Sequence, residues 1–256
     1  RPPLSLRDIS PALRGNLPGP IPPFLAEGSG VRCRDEGFKN IPLGRKAAMK
    51  YTFLYAFGKF LTPLLRILMP IHISHAENLP KEGPVVVCCN HAAYKDPIMV
   101  SLACHRQVRY MAKAELFQNK LIGKLLKGFG AFPIHRGQGD SDALKVAREI
   151  LEKGEVLGIF IEGTRSRTGK LGKPKPGAVM LAYETNSPVL PVCITAKDGK
   201  QPRLLHRANI SFGELIPPEG LGIKEPTAMD YRRASRLVMD KIQELRDQDE
   251  AWFHRK

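Results

Sequence analysis

From residue 76 onward, apolar and polar positions form blocks that predict alternating strands and helices. Continuous apolar runs, typical of strands covered on both faces, predict strands at 85–89, 107–112, 156–161, 189–195 and 208–213. Segments of helical character between them predict helices at 97–105, 115–128, 140–153, 176–185 and 227–247. Because strands and helices alternate, the pattern indicates an α/β fold with a mostly parallel sheet flanked by helices.

The segment 47–75 has a different pattern, because apolar and aromatic side chains dominate one helical face. Phe57 and Leu64 lie on that face, whereas Lys59 and Arg66 lie on the opposite one. A helix that spans a bilayer needs about 18 or more apolar residues with few charges, and these two cations interrupt the run. The pattern therefore predicts an N-terminal amphipathic helical segment at the membrane interface. A helix that packs the same face on the protein core remains the alternative.

Residues 1–46 contain eight Pro and six Gly, and no apolar period persists among them. A segment of this composition does not bury enough apolar surface to form a core, so we predict a disordered tail. The predicted organisation is a tail at 1–46, an interfacial segment at 47–75 and an α/β domain at 76–256. The last of these is long enough for one sizeable core.

The charge of the chain points to an anionic partner. It has 40 Lys and Arg against 25 Asp and Glu, a formal net charge of +15. Nucleic acid, a lipid headgroup surface and a phosphorylated substrate all fit this balance. No nucleic-acid fingerprint is present, so a basic nucleic-acid-binding module is kept only as the alternative from a different class. The five cysteines lack zinc-finger spacing and the histidines are scattered, so we predict neither a metal nor a cofactor.

Candidate chemistry first appears where the apolar run 85–89 ends, because His91 follows it and Asp96 comes after four intervening residues. The spacing alone is weak, since His135 and Asp140 repeat it. Context separates the pairs: His91 follows a buried strand, and a helix begins near Asp96. In open α/β sheets ligands bind at the carboxyl ends of strands, and a helix N-terminus favours anions. Taken singly, each residue also has an ordinary interpretation, as a helix cap or a hydrogen-bonded strand-end histidine.

Three further motifs follow in order along the chain: Phe132-Pro-Ile-His-Arg136, Phe160-Ile-Glu162-Gly163-Thr164-Arg165-Ser166 and Val189-Leu-Pro191. With Asn90-His91-x4-Asp96 they resemble the four ordered blocks of the glycerolipid acyltransferases, over roughly residues 50–215. One departure is Ala93, because the family often has Ser at this position.

The resemblance implies a transferase that moves a fatty acyl group from a thioester donor to the free hydroxyl of lysophosphatidic acid, giving phosphatidic acid. Acyl-CoA or acyl carrier protein would be the donor. Transfer to glycerol 3-phosphate or another lysolipid is the alternative within the family. The expected location is peripheral, on the cytoplasmic side of the cell membrane, with the membrane surface as a partner.

Acyl transfer to an alcohol requires a base, a group that orients the base, and cations for the acceptor phosphate. Histidine titrates near neutral pH, so His91 is the predicted base and Asp96 the residue that holds its tautomer. The resemblance implies the same two roles. It also implies a substrate-binding set: Lys113, Arg136, Glu162, Gly163, Thr164 and Arg165. Arg136 and Arg165 would clamp the phosphate, because a guanidinium grips phosphate oxygens in two places.

Overall fold

A seven-stranded sheet forms the centre of the part of the chain that the structure describes. The structure is a computed structural model, and it describes residues 70–134, 141–166, 168–197 and 206–255, together with Ala56 and Phe60. All of these belong to one compact unit, Leu43–Lys256. The predicted tail and most of the predicted interfacial segment lie outside the described residues.

The strands are β1 (Ile71–Ser74), β2 (Val85–Cys89), β3 (Val108–Lys113), β4 (Ala131–Ile134), β5 (Val156–Phe160), β6 (Val189–Ala196) and β7 (Ala208–Phe212). The helices are α1 (Asp96–Ala103), α2 (Lys120–Gly128), α3 (Ser141–Glu152), α4 (Gly177–Glu184) and α5 (Ala228–His254). Short 3-10 turns lie at Ala76–Asn78, Ala114–Phe117 and Pro218–Leu221. The strand order is β1-β7-β6-β2-β5-β3-β4. Every neighbouring pair is parallel except β6 and β7.

Helices cover both faces of this sheet, which explains why its inner strands are apolar throughout. On β2, Val86 and Cys88 face the core that α3, α4 and α5 complete. Val85, Val87 and Cys89 face the opposite core, which receives α1. Full burial of one such valine is worth about 1.5–3 kcal/mol, so a polar residue on either face would be costly. The prediction of a mostly parallel sheet flanked by helices is confirmed.

The prediction missed two strands, joined a 3-10 turn to one helix, and ended the last helix at residue 247 although α5 continues to His254. Residues Ile71–Ser74 form β1, although the helical segment was predicted to reach residue 75. Pro70 precedes them, and their backbone pairs in parallel with β7. β4 was missed because it is a four-residue edge strand that contains Pro133. The helix predicted at 115–128 is a 3-10 turn followed by α2, because the Asn119 side chain caps a new helix start.

Pro191 lies within β6, an inner strand, although proline lacks the N–H that a ladder needs. The register of β6 against β7 shifts by one residue beside it, as at a β-bulge. The N–H of Gly213 donates to the Pro191 carbonyl at 2.8 Å. Pro191 has no N–H to donate to the Gly213 carbonyl, which instead accepts a hydrogen bond from Asn78 Nδ2 at 2.9 Å. A side chain thus replaces the missing donor.

Within the described ranges, no helix is both long enough and apolar enough to cross a bilayer.

Candidate active site

The loop after β2 is fastened to the sheet by Asn90. Its buried side chain accepts a hydrogen bond from the Ile194 N–H at 2.8 Å and donates to the Ile194 carbonyl at 3.0 Å. This pair of bonds extends the contact between β2 and β6 by one residue beyond the strand. Because two hydrogen bonds to Ile194 hold the Asn90 side chain, the next residue, His91, has a fixed position at the carboxyl end of β2.

His91 and Asp96 form a hydrogen-bonded pair. His91 Nδ1 lies 2.9 Å from Asp96 Oδ2, and the same oxygen accepts the N–H groups of Ala92 and Ala93 at 2.7 Å each. The carboxylate is fully buried in the first turn of α1. Because a carboxylate only accepts, this bond requires the ring proton on Nδ1 and leaves Nε2 as the basic nitrogen.

The ring plane of His91 is fixed by an aromatic neighbour. Its centroid lies 3.9 Å from that of Phe160, with 20° between the two planes. Phe160 is the last residue of β5, the strand beside β2, so the stack joins the carboxyl ends of adjacent strands. The histidine is therefore restrained in the ring plane by Asp96 and from one face by Phe160.

Glu162 ties the His91 loop to the loop that follows β5. Its Oε1 accepts the His91 backbone N–H at 3.0 Å, and its Oε2 accepts the Gly172 N–H at 2.8 Å. The side chain is buried. Both of these contacts are with backbone N–H groups. Gly172 is required at this contact, because a Cβ there would lie 2.7 Å from Glu162 Oε2.

Arg165 lies over the ring of Tyr94, with its guanidinium carbon 3.4 Å from the ring centroid. Both side chains are exposed. The next residue, Ser166, donates its backbone N–H to the His91 carbonyl at 2.8 Å. Arg165 is thus next in sequence to a residue that bonds directly to His91. The Arg165 guanidinium and the imidazole of His91 therefore belong to the same site.

A polar groove of about 450 Å³ opens beside Arg165. Its lining consists of Glu162, Thr164, Arg165, Ser166, Thr168, Lys170, Leu171, Gly172, Lys173 and Lys175. Four side chains of this lining are basic and only one is acidic, so the groove suits an anion. The fold brings Lys170, Lys173 and Lys175 to the same groove as Arg165.

Gly163 starts this loop with φ +71°, a left-handed conformation that favours glycine. A Cβ there would also meet Lys175 Cγ at 3.2 Å. On the far side of the loop, Arg246 Nη1 of α5 donates to the Gly169 carbonyl at 2.5 Å. The turn at Gly163 and the bond from Arg246 to Gly169 together fix the path of the loop that lines the groove.

Lys113 and Arg136 complete the predicted substrate-binding set, and the structure describes only the first of them. Arg136 is outside the described residues, as are His135 and Asp140. Lys113 is the exposed last residue of β3, at the edge of the sheet where β2 and β5 also end. Counting on from the β3–β5 register, it lies level with Ile161.

The two cysteines at the end of β2 are not nucleophiles. Burial raises the pKa of the Cys88 thiol to about 12. Burial, and next the negative charge of Asp96, raise the pKa of Cys89 well above the ordinary value. Because the thiolate is the reactive form, neither is available near neutral pH. Burial also lowers the pKa of Lys95, an effect that the carboxylate of Asp96 opposes. Neither cysteine therefore supplies a nucleophile to His91, which agrees with direct transfer between two substrates.

Sequence reasoning missed Tyr94, Asn90, Phe160 and Gly172 as parts of the site. Tyr94 lies inside the spacer between His91 and Asp96, where residue type alone carries no signal. Asn90 and Phe160 are the first residues of two of the motifs, and their position at strand ends was a usable signal for their role. Gly172 had none, because its contact with Glu162 depends on how the loop folds back.

Comparisons with known proteins show the family of this chain. Residues 70–195 match the sequence model of the family described as Acyltransferase. A 1-acyl-sn-glycerol-3-phosphate acyltransferase of Bacillus subtilis is 36% identical over 138 residues, which cover 52% of this chain and 68% of the relative. One from Streptococcus pneumoniae is 25% identical over 212 residues, covering 81% of this chain and 77% of that protein. The chain belongs to this acyltransferase family.

The fold is shared with a solved structure. The crystal structure of the 1-acyl-sn-glycerophosphate (LPA) acyltransferase PlsC from Thermotoga maritima aligns with a TM-score of 0.60 at 24% identity. The alignment covers 80% of this chain and 84% of that one. At this identity the likeness concerns the fold, whereas the family assignment depends on the sequence relatives.

Proposed function

We propose that this protein is a 1-acylglycerol-3-phosphate O-acyltransferase, which transfers a fatty acyl group from a thioester to the free hydroxyl of lysophosphatidic acid and forms phosphatidic acid. The observation that carries the proposal is the His91–Asp96 pair, 2.9 Å apart at a strand end, one loop contact from a cationic groove. The named activity of the bacterial relatives supports the same acceptor.

His91 acts as the general base. Its Nε2 takes the proton of the acceptor hydroxyl as that oxygen attacks the thioester carbonyl carbon. The tetrahedral intermediate collapses with cleavage of the carbon–sulfur bond, and the leaving thiolate takes the proton back from the imidazolium. Asp96 holds the Nδ1–H tautomer and stabilises the imidazolium, as the aspartate of a Ser-His-Asp triad does. The substrate hydroxyl takes the place of the serine, so the protein forms no acyl intermediate.

The acceptor phosphate binds in the cationic groove. Arg165 supplies a planar fork for two phosphate oxygens, and Thr164 supplies a hydroxyl beside it. Arg136 and Lys113 complete the clamp, on the strength of the family resemblance. Glu162 contributes through the backbone, since it fixes the distance between the His91 loop and the Arg165 loop.

The donor is acyl-CoA or acyl carrier protein, and thioester chemistry with this set of residues needs no resident cofactor or metal. The protein works at the cytoplasmic face of the cell membrane, which the part of segment 47–75 that precedes β1 contacts as an interfacial segment. This location follows from the lipid nature of the acceptor and product together with the net charge of +15.

The test supplies the purified full chain with lysophosphatidic acid and a panel of acyl-CoA and acyl-carrier donors, and identifies products by mass spectrometry. Phosphatidic acid is the expected product. Glycerol 3-phosphate and lysophosphatidylcholine serve as competing acceptors. Acylation of either of these in preference to lysophosphatidic acid would contradict the proposed acceptor, and absence of any acyl transfer would contradict the function.

A further inference from the structure

Large apolar side chains are exposed together on one short stretch of the described chain. Leu116, Leu121, Ile122 and Leu125 are all exposed, and Leu121 is 79% accessible. They lie on the Ala114–Phe117 turn and on α2. Exposed apolar residues scattered singly are normal, but four within ten residues form a contiguous patch that indicates an interaction surface.

The orientation of α2 keeps this patch outward. Gly123 is buried against the preceding turn, and a Cβ there would lie 2.9 Å from the Phe117 carbonyl oxygen. The Asn119 side chain accepts the N–H groups of Leu121 and Ile122 at 3.0 and 3.1 Å and caps the helix. The face of α2 that carries Gly123 packs against Phe117. A rotation of α2 that buried Leu121 and Ile122 would break this contact.

A stripe of cations borders the patch. Lys120, Lys124 and Lys127 recur at helical spacing, and all three are exposed. α2 itself contains no acidic residue, and Glu115 in the preceding turn is the acidic neighbour in sequence. An apolar face beside lysines is the pattern of a helix that lies in the interface of an anionic membrane.

The patch lies at the end of the sheet where the carboxyl ends of β2 and β3 meet, which is also the end that carries His91. The chain enters it directly from Lys113, at the carboxyl end of β3, and His91 follows the carboxyl end of β2 at the same edge. Tyr94, in the His91 loop, is a further large side chain exposed at this edge, 78% accessible. A bilayer against α2 would therefore meet the rim of the site.

We propose that Leu121, Ile122 and Leu125 insert among the acyl chains of an anionic phospholipid bilayer while the lysine stripe contacts headgroup phosphates. We call this the α2 membrane surface. It deepens the proposed function, because it gives the route by which a membrane-resident acceptor reaches His91, and it rests on that function for the acceptor's identity. The contact is separate from the one expected for segment 47–75.

The direct test places an environment-sensitive fluorophore on the full chain. Cys88, Cys89, Cys104 and Cys193 are buried, so a Cys33→Ser background leaves the introduced thiol as the label site. Leu121→Cys carries the probe. Met229→Cys is the matched control, because Met229 is 72% exposed at the start of α5, which packs on β6 and β7 in the other half of the sheet.

With vesicles of phosphatidylcholine and phosphatidylglycerol, the label at 121 should shift to the blue and be quenched by doxyl-labelled lipids, and the label at 229 should not. In sedimentation, Leu121→Asp with Leu125→Asp should weaken partitioning by about tenfold or more, whereas Met229→Asp should not. Lys120→Gln with Lys124→Gln should reduce the preference for anionic over zwitterionic vesicles.

The proposal is overturned if the label at 121 stays unquenched while the protein sediments with vesicles. It is also overturned if the Leu121 and Leu125 double variant melts at a clearly lower temperature than the native chain, which would assign the patch to packing within this chain. The same holds if the native chain is a dimer in solution and the double variant is a monomer, which would assign the patch to a second copy. Turnover of a water-soluble short-chain lysophosphatidic acid reports the proposed function separately, since it needs no vesicle.

Discussion

Three neighbours restrain His91 at once. Asp96 holds Nδ1, Phe160 stacks on the ring and Glu162 binds the backbone N–H. A base held in this way loses no further freedom when the substrate arrives, and its free nitrogen has one direction of approach. Preorganisation of this kind is what distinguishes a catalytic histidine from a merely hydrogen-bonded one.

We expect His91→Ala to lower kcat by about 10²–10⁴-fold, the usual contribution of general base catalysis, with the melting temperature nearly unchanged. His135→Ala, which removes the histidine of the second pair with the same spacing, should leave kcat close to that of the native protein. Comparable losses in both variants would mean that the strand-end context of His91 does not distinguish the two pairs.

Tyr94 is predicted to position Arg165 through its ring face. Tyr94→Phe keeps the face and should leave the acceptor KM close to the native value. Tyr94→Ala removes it, and since an exposed cation–π contact is worth about 0.5–1 kcal/mol, the acceptor KM should rise by about two- to fivefold. Arg165→Lys, which loses the planar fork as well, should have a larger effect. An equal effect of Tyr94→Phe and Tyr94→Ala would argue against the ring as the cause.

At the scale of elements, the two loops that end β2 and β5 act as one unit because Glu162 connects them. Glu162→Gln replaces an acceptor by an amide NH₂ that faces a backbone N–H. One buried donor is then left without a partner, which costs about 1–3 kcal/mol. We expect a lower melting temperature and a lower kcat, with little change in donor KM.

The control for Glu162 is Glu155→Gln. Glu155 pairs with Arg109 at 2.7 Å but is partly exposed, and exposed ion pairs contribute only about 0–1 kcal/mol. Stability curves from chemical denaturation compare the two variants with the native chain. If Glu155→Gln proved as damaging as Glu162→Gln, the loss would reflect a general sensitivity to removal of a carboxylate.

Asp249 in α5 and Asp230 in the first turn of the same helix should respond to pH in opposite directions. Burial raises the pKa of Asp249, although hydrogen bonds from Ser211, Thr195 and Asn209 oppose it. The folded state therefore binds more protons than the unfolded state between the two pKa values. Since stability then falls as pH rises, Asp249 contributes most at acidic pH and loses that contribution as pH rises through its folded pKa.

Asp230 has the opposite sign. The N–H of Glu225, and then that of Lys224 and the charge of Arg233, lower the pKa of its carboxyl despite partial desolvation. Its stabilisation is present above the ordinary aspartate pKa and is lost as pH falls through the folded pKa. Denaturation of Asp249→Asn and Asp230→Asn between about pH 3 and 7 should therefore give stability differences of opposite slope. Slopes of the same sign would contradict the assignment.

The inner strands could be predicted because both of their faces are buried, so apolar composition alone reveals them. β1 and β4 could not, since each has four residues and lies at an edge where pairing, rather than composition, decides the strand. For the site, the strand-end position selected His91 and Asp96, the family resemblance added Glu162 and Arg165, and the structure brings the loops that hold all four into contact. The contacts of Glu162 with backbone 71 and 10 residues away depend on the folded path of two loops, which no local pattern encodes.

For the whole molecule, substrate, product and net charge all point to work at a lipid surface, and two separate segments are predicted to reach it. One is the α2 membrane surface, and the other is segment 47–75. Two weak contacts on one body act with a high effective concentration, so their free energies add and their partition coefficients multiply. Loss of either should therefore weaken binding without abolishing it, and loss of both should release the protein.

We expect Phe57→Asp with Leu64→Asp to lower partitioning onto anionic vesicles by about tenfold or more, while the melting temperature and turnover of a water-soluble short-chain acceptor stay close to native. A helix packed on the protein core would give a different result, because the same two changes would place charges in the core and lower the melting temperature sharply. Combined with Leu121→Asp and Leu125→Asp, the loss should approach the product of the two separate losses. A combined loss no greater than either separate loss would mean that the two segments form one membrane contact. In that case each double variant alone should lower turnover on vesicles as much as the two combined.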